Sequence, residues 1–350
     1  MQLSDLGWGP DLADTFEPHA AAGLTAGRIA VQHRGASIVL TELGELSADL
    51  AGRLLHESQS GELPVTGDWV AVAARPEEGT ATIQAVLPRR TSISRKAAGP
   101  GSEEQVIAAN IDTLFLVSAL TSGLNPRRIE RYLATAWESG AQPVVVLTKA
   151  DLCDDLPAAL AEVEAVAFGV PVLPISSVTG EGYEALDAYL APGRTIAVVG
   201  SSGVGQSTLV NRLAGYERLA TQDTRNDGKG RHTTSHRELV LLPGGGLVLD
   251  TPGMRELHLW DAGEGVGEAF GDVEELAATC RFSDCSHGVE PGCAVRGALE
   301  AGTLTAERWE NYVSLQRELA FLARRQDSRL AAEERRKWKA ISKANKTTAW

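Results

Sequence analysis

The chain has 350 residues, enough for two or three domains. Apolar residues make up 43% of it and charged residues 23%, the balance of a water-soluble folded protein, and no apolar run approaches the ~18–20 residues of a membrane span. A formal net charge of −13 argues against a chain that binds nucleic acid with its whole surface, so an RNA partner would need local basic patches.

Residues 1–22 carry Asp5, Asp11 and Asp14, show no basic-then-apolar export pattern and read as a partly ordered leader. Short strand-like runs follow at 28–32, 36–40, 68–72 and 80–86, punctuated by Gly35, Gly44, Pro64, Gly67 and Gly79. That pattern predicts a small β-barrel, a fold that can bind nucleic acid on one face. Few aromatic residues interrupt it, which favours backbone contact over base stacking. Residues 91–104 read as a polar linker. From 111 onward strands and helices alternate: strand 111–119, helix 126–139, strand 144–147, helix 156–166. This is the βαβ rhythm of a parallel sheet, running to about residue 257. A helix at 273–279 leads into a cysteine cluster. A second helix at 306–322 places Trp309, Tyr312, Leu315, Leu319 and Leu322 near one face, expected to pack on that cluster's lobe. Two segments are locally basic: Arg89-Arg90 with Arg95-Lys96, and the C-terminal stretch from Arg317 through Arg324, Arg325, Arg329, Arg335, Arg336, Lys337, Lys339 and Lys343 to Lys346, with Trp338 and Trp350 interleaved. The alternative reading of each is a solvated face.

The most informative stretch is Gly200-Ser201-Ser202-Gly203-Val204-Gly205-Gln206-Ser207-Thr208, which follows the apolar run 195–199 and opens a helical segment ended by Gly215. Strand, Gly-rich turn and helix are the context of a phosphate-binding loop, whose backbone N–H groups and helix dipole hold an anion. One residue departs from the motif: Gln206 stands where a lysine is expected. Alone, the stretch could be a plain strand-to-helix connection. Asp250-Thr251-Pro252-Gly253 follows the apolar run 247–249 and has the form of a loop that meets magnesium and a third phosphate. Between the two lies Gly230-Arg231-His232-Thr233-Thr234-Ser235, able to supply a magnesium-ligating hydroxyl. Thr148-Lys149-Ala150-Asp151 follows a buried-strand pattern and resembles the guanine-reading Asn-Lys-x-Asp, with a threonine in place of the asparagine. A carboxylate there can accept both donors of the guanine edge. The competing reading is a helix start capped by Thr148. Ser176 and Ser177, in Ser176-Ser177-Val178-Thr179-Gly180, form a second candidate base-contact loop. Cys280-x4-Cys285-x-His287-x5-Cys293 gathers three of the four cysteines within 14 residues beside a histidine. Three thiols and an imidazole are a standard closed set for structural zinc, and clustered thiols fit a reducing compartment. Buried cysteines with a surface histidine are the alternative. Cys153 stands apart as an ordinary thiol.

These loops occur in the order base-reading, closing, phosphate, switch, magnesium, whereas an ordinary GTPase has the phosphate loop first. In this permuted order, with the cysteine cluster behind it, the chain resembles the ribosome small-subunit-dependent GTPase A family (RsgA/YjeQ) over nearly its whole length. The resemblance implies an N-terminal leader and OB-fold at 1–95, a circularly permuted P-loop GTPase domain at 105–265 and a zinc-binding helical domain at 270–350. It implies GTP hydrolysis in late maturation of the small (30S) ribosomal subunit, with GTP and GDP, the subunit and its rRNA as partners, a cytoplasmic location, no membrane and a monomeric state. One zinc per chain would sit on Cys280, Cys285, His287 and Cys293. Magnesium would arrive with GTP on Ser207 and one of Thr233 or Thr234, and Asp250 would reach it through water. The Gly253 N–H would touch the γ-phosphate. Met254 stands where a glutamine could orient water, which leaves His232, otherwise a plain loop histidine, as the water-orienting group. Because Gln206 brings no charge, the alternative function is a GTP-binding assembly factor with little or no hydrolysis. A purely structural zinc- and RNA-binding protein is a third reading.

Overall fold

The computed structural model describes residues 1–33, 35–57, 61–96, 104–121, 124–216, 237–250 and 263–326. The N-terminal segment is not a loose leader. Leu3–Leu6 form a 3-10 turn and α1 spans Pro10–Ala21. Pro10 suits the first helical position, where its missing N–H would have no partner. Leu12 and Phe16, one turn apart, are buried, and Trp8 meets Phe16 and Trp69 edge-on with centroids 5.6 and 4.8 Å apart. Asp11 and Asp14 face water on the opposite side. The acidic residues obscured an i, i+4 apolar pair that only the barrel wall makes useful.

Strands β1 (Thr25–Gln32), β2 (Ser37–Thr41), β3 (Gly44–Leu50), β4 (Trp69–Arg75) and β5 (Thr80–Val86), with α2 (Gly52–Glu57) after β3, make the expected barrel. They are ordered β1-β2-β3-β5-β4, and β4 pairs back to β1. Ile29, Val39, Leu46, Val70 and Ile83 fill the interior. The flanks of the expected linker are instead an antiparallel pair, β6 (Ser92–Lys96) with β7 (Glu104–Ala109). The first basic segment is partly consumed by the fold. Arg89 forks onto the buried Asp68 carboxylate at 2.8 Å through both Nε and Nη2 and donates to the carbonyls of Gly61 and Leu63.

The second layer follows the expected rhythm: β8 (Thr113–Ala119), α3 (Pro126–Ser139), β9 (Gln142–Thr148), α4 (Leu156–Glu164), β10 (Val172–Pro174), β11 (Thr195–Gly200), α5 (Gln206–Ala214), β12 (Glu238–Leu241) and β13 (Leu247–Asp250). The order is β10-β9-β8-β11-β13-β12. β10, β9, β8, β11 and β13 are parallel, and β12 is antiparallel to β13. Strand order reverses between β8 and β11, the crevice where open α/β sheets bind ligands. β12 also pairs with β1, so the barrel and the parallel layer form one continuous sheet of 11 strands.

Arg28 locks this junction. Its side chain, 1% exposed, donates to the carbonyls of Leu6, Gly67 and Asn110 and to Thr195 Oγ1 at 2.5–3.1 Å, and lies 5.5 Å over the Trp69 ring. Burial pulls its pKa down to about 10, which leaves it charged at neutral pH.

Helices α6 (Gly263–Ala269), α7 (Gly271–Ala278), α8 (Ala294–Ala301) and α9 (Ala306–Gln326) form the C-terminal lobe. α6 lies so close on α3 that a Cβ at Gly265 would come within 2.0 Å of the Ala134 carbonyl. As expected, α9 turns Trp309, Tyr312, Leu315 and Leu319 onto this core. No helix among the described residues is long and apolar enough to cross a membrane. Arg308 of α9, 6% exposed, donates to Glu130 of α3 at 2.6 Å and to Asp272 of α7 at 2.8 Å, and Asn311 donates to Glu130. Burial pushes the Glu130 carboxyl above the usual range, and Arg308 works against that shift. Removing one partner of a buried pair strands the other charge, so Arg308→Ala is expected to cost about 3–5 kcal/mol in denaturant unfolding of the full chain. Arg296→Ala, which breaks the surface pair with Glu300, should cost under ~1 kcal/mol.

Candidate nucleotide and metal sites

The segment 200–208 leaves β11 at the reversal of the sheet. Gly200 passes so close to β8 that a Cβ would meet the Val117 carbonyl at 2.3 Å. Gly205, at φ 96, takes the left-handed turn that starts α5 and offers no side-chain cap. The first N–H groups of α5, from Gln206, Ser207 and Thr208, therefore lack helical partners, the arrangement that suits an anion. The Gln206 amide nitrogen lies beside Gly200, 2.9 Å from where a Cβ would stand. This Nε2 is buried without a hydrogen-bond partner among the described residues, a state that costs ~1–3 kcal/mol unless an acceptor arrives. The residues present thus fit a phosphate group, with a neutral donor where a lysine would bring charge.

The base-reading and phosphate loops are hydrogen-bonded to each other. Thr148, 2% exposed, directs its hydroxyl at the Val204 carbonyl (2.5 Å), with the Ser118 carbonyl farther off at 3.3 Å. Its side chain ties two loops together rather than lining an open surface. Lys149, at φ 60, donates through Nζ to the Gly203 carbonyl at 3.2 Å. Asp151 is exposed, and one carboxylate oxygen accepts from Ser176 Oγ at 2.6 Å. Ser176 Oγ in turn accepts from the N–H groups of Val178 and Thr179, so the closing loop curls around the Asp151 carboxylate. Ser177 bonds Tyr183 at 2.7 Å, and Arg212 of α5 donates to the Ser177 carbonyl while lying 4.5 Å over the Tyr183 ring. Burial raises the Tyr183 pKa, keeping that hydroxyl protonated.

One contact at this site has no signature in the chain's local sequence. Arg128, in the first turn of α3, donates from Nη1 to Ser201 Oγ at 2.7 Å. Only the fold brings the start of α3 against the phosphate loop, because both leave the carboxyl ends of the paired strands β8 and β11. His232, Thr233, Thr234 and Gly253 lie outside the described residues, as do Arg231 and the basic segment beyond 326. Asp250 is described only in its backbone, opposite Glu238.

The structure gathers Cys280, Cys285, His287 and Cys293, whose ligand atoms lie within 4.8 Å of one another. Cys280 Sγ is 3.9 Å from Cys293 Sγ, and both are 3.6 Å from His287 Nδ1. A tetrahedral ion with ~2.3 Å bonds to sulfur and ~2.0–2.1 Å to nitrogen needs edges of roughly 3.8 and 3.6 Å. The group can hold one metal ion. Cys293 also caps α8, its sulfur accepting from the Arg296 N–H at 3.4 Å. The imidazole stands 5.5 Å edge-on from Trp309, joining the cluster to α9.

A family model described as RsgA GTPase matches residues 86–260. The small ribosomal subunit biogenesis GTPase RsgA of Opitutus terrae is 51% identical over 352 residues, covering 97% of this chain and 96% of that protein. The protein of the same name from Streptomyces coelicolor is 47% identical over 350 residues, covering 98% and 94%. Among solved structures, YjeQ from Thermotoga maritima is similar with a TM-score of 0.65 and 28% identity, over 85% of this chain and 98% of that one. YloQ, described as a circularly permuted GTPase, gives 0.62 and 25% identity, over 85% and 95%.

The Thr148 link is testable apart from any ligand. Thr148→Val keeps the shape but leaves the Val204 carbonyl without its donor, and is expected to lower unfolding stability by ~1–3 kcal/mol. Thr148→Ser, which keeps the hydroxyl, should recover most of that loss in the same denaturation measurement.

Proposed function

The chain belongs to the RsgA GTPase family, and from that premise we propose that it hydrolyses GTP in the maturation of the small ribosomal subunit, through a site formed by the loops after β9, β10 and β11. One observation carries this reading most directly: base-reading, closing and phosphate loops are bonded into one unit at the reversal of the sheet, through Thr148, Ser176 and Arg212. In that site the backbone of Gly200–Thr208 would cradle the phosphates. The Asp151 carboxylate would accept from the guanine edge while Ser176 and Ser177 close over the base.

Phosphoryl transfer asks the protein to position water and to neutralise spreading charge. Ser207 and Thr233 or Thr234 would hold magnesium, with Asp250 behind a water, and the ion would neutralise phosphate charge. Gly253 N–H would meet the γ-phosphate and His232 would orient the attacking water. The working division is 1–95, 105–265 and 270–350, with zinc on Cys280, Cys285, His287 and Cys293. Ribosomal RNA would meet the barrel and the basic C-terminal segment, in the cytoplasm, with the protein acting as a monomer. The names of the relatives, which are small-subunit biogenesis GTPases, support the ribosomal part.

Gln206 favours one second reading, a GTP-binding factor with little turnover. Measuring GTP binding and then phosphate release, with and without small subunits, separates the two; a chain that binds no guanine nucleotide defeats both. Asp151→Asn turns an acceptor into a donor at the base edge and is expected to shift preference from guanine to xanthine nucleotides, read by competition binding. Metal analysis of purified protein is expected to return one zinc per chain. Cys285→Ser should lose it and lower the stability of the C-terminal lobe, since a structural zinc contributes ~10 kcal/mol or more to folding.

A further inference from the structure

We propose that Arg128 is the phosphate-side cation of this site, supplying from α3 the positive charge that Gln206 does not bring to the phosphate loop. The inference rests on the nucleotide-binding reading above and adds a residue to it. A nucleoside di- or triphosphate brings several negative charges into a chain whose own net charge is −13. The loop itself answers with the partial charges of its N–H groups and helix dipole and with the neutral, buried Gln206 amide, unpartnered among the described residues.

Among the described residues two cations reach the loop. Lys149 comes from the base-reading loop and is tied to the Gly203 carbonyl. Arg128 comes from the start of α3 and touches Ser201 Oγ at 2.7 Å. That bond uses one of the five N–H donors of a guanidinium. No carboxylate among the described residues lies within 4.0 Å of it, whereas Arg127 and Arg131, on either side of it in α3, each pair with α9: Arg127 with Glu310 at 3.0 Å and Arg131 with Glu318 at 2.6 Å. The start of α3 therefore sends two arginines to the C-terminal lobe and one to the phosphate loop.

Its position is fixed at the backbone. Asn125 caps α3 by accepting from the Arg128 N–H at 3.1 Å, Pro126 opens the helix, and Glu130 anchors the next residues in the buried pair with Arg308. A planar, permanently charged fork so held suits phosphate oxygens better than a flexible ammonium would.

The test measures affinity for fluorescent GDP and for a non-hydrolysable fluorescent GTP analogue, with magnesium, in the full chain. A hydrogen bond to a charged group corresponds to roughly ten- to a hundredfold in affinity, so Arg128→Gln is expected to weaken both ligands at least ~tenfold. Arg127→Gln, one residue away, should leave them within ~twofold, since an exposed ion pair contributes little. Gln206→Lys should restore binding in the Arg128→Gln background by a larger factor than it improves the native chain. Arg128→Lys, which keeps the charge, should bind better than Arg128→Gln. Equal losses in Arg127→Gln and Arg128→Gln would overturn the proposal, as would native-like affinity in Arg128→Gln or the same gain from Gln206→Lys in both backgrounds. If the native chain binds neither ligand, the functional reading itself fails and takes this one with it; binding that ignores Arg128 removes this one alone.

Discussion

The pairing of β8 with β11 is the constraint on which the site depends. It joins strands far apart in the chain, with Val117 opposite Gly200, and sets the point where the strand order turns round. Among the described residues, the loops of the candidate phosphate site leave the sheet at or beside that point. β11 delivers the glycine-rich loop, β8 delivers the start of α3, and β9 delivers Thr148 onto the Val204 carbonyl. The absence of a Cβ at Gly200 is a condition of that pairing, because the Val117 carbonyl occupies its place. The permuted order of the loops is thereby harmless. A parallel sheet assembles strands by register rather than by sequence, so the phosphate loop can follow the base-reading loop in the chain and still lie beside it.

Two buried arginines connect this unit to its flanks, and they do so differently. Among the described residues Arg28 has no carboxylate at hydrogen-bond distance; it satisfies carbonyls of Leu6 in the N-terminal turn, Gly67 before β4 and Asn110 just past β7, and a hydroxyl at the start of β11. Each acceptor would otherwise be buried near an apolar wall, so the arginine stabilises the junction by completing hydrogen bonds. Arg308 works through charge, facing Glu130 and Asp272 with Phe270 beneath it at 4.7 Å. Both devices are specific to their geometry, because a displaced partner leaves a buried polar group uncompensated. α3 consequently touches the phosphate loop at one residue and the C-terminal lobe at the residues on either side of it.

Much of this was legible in the chain itself. The glycine-rich loop after an apolar run, Asp151 after a buried strand and the cysteine–histidine cluster were found where local sequence placed them, because each is a short motif whose chemistry needs neighbouring residues. The helix expected at 126–139 is α3, with the same bounds. The helix at 10–21 was missed, since it holds only two large apolar residues, Leu12 and Phe16, set among Asp11, Asp14 and Glu17. β3 was missed because its alternating apolar positions, Leu46, Ala48 and Leu50, are few and sit between Glu45, Ser47 and Asp49. Thr148 could be recognised only as a departure from a motif; its role as a tie between loops required the Val204 carbonyl, 56 residues away.

By itself the sequence determined the permuted motif order, the group of four side chains that can hold a metal, the class of fold and the missing lysine, all properties of residues close together in the chain or of their succession. Tertiary structure alone decided which charges are spent and which remain. Arg89 and Arg308 vanish into buried pairs, Arg28 into carbonyls, and Arg127 and Arg131 onto α9, while Arg128 is left at the phosphate loop. Composition counts every arginine as an equal positive charge. The physical effect of each depends on desolvation and on what lies within a few ångströms, and those distances are set by strand register and helix packing between segments the chain keeps far apart.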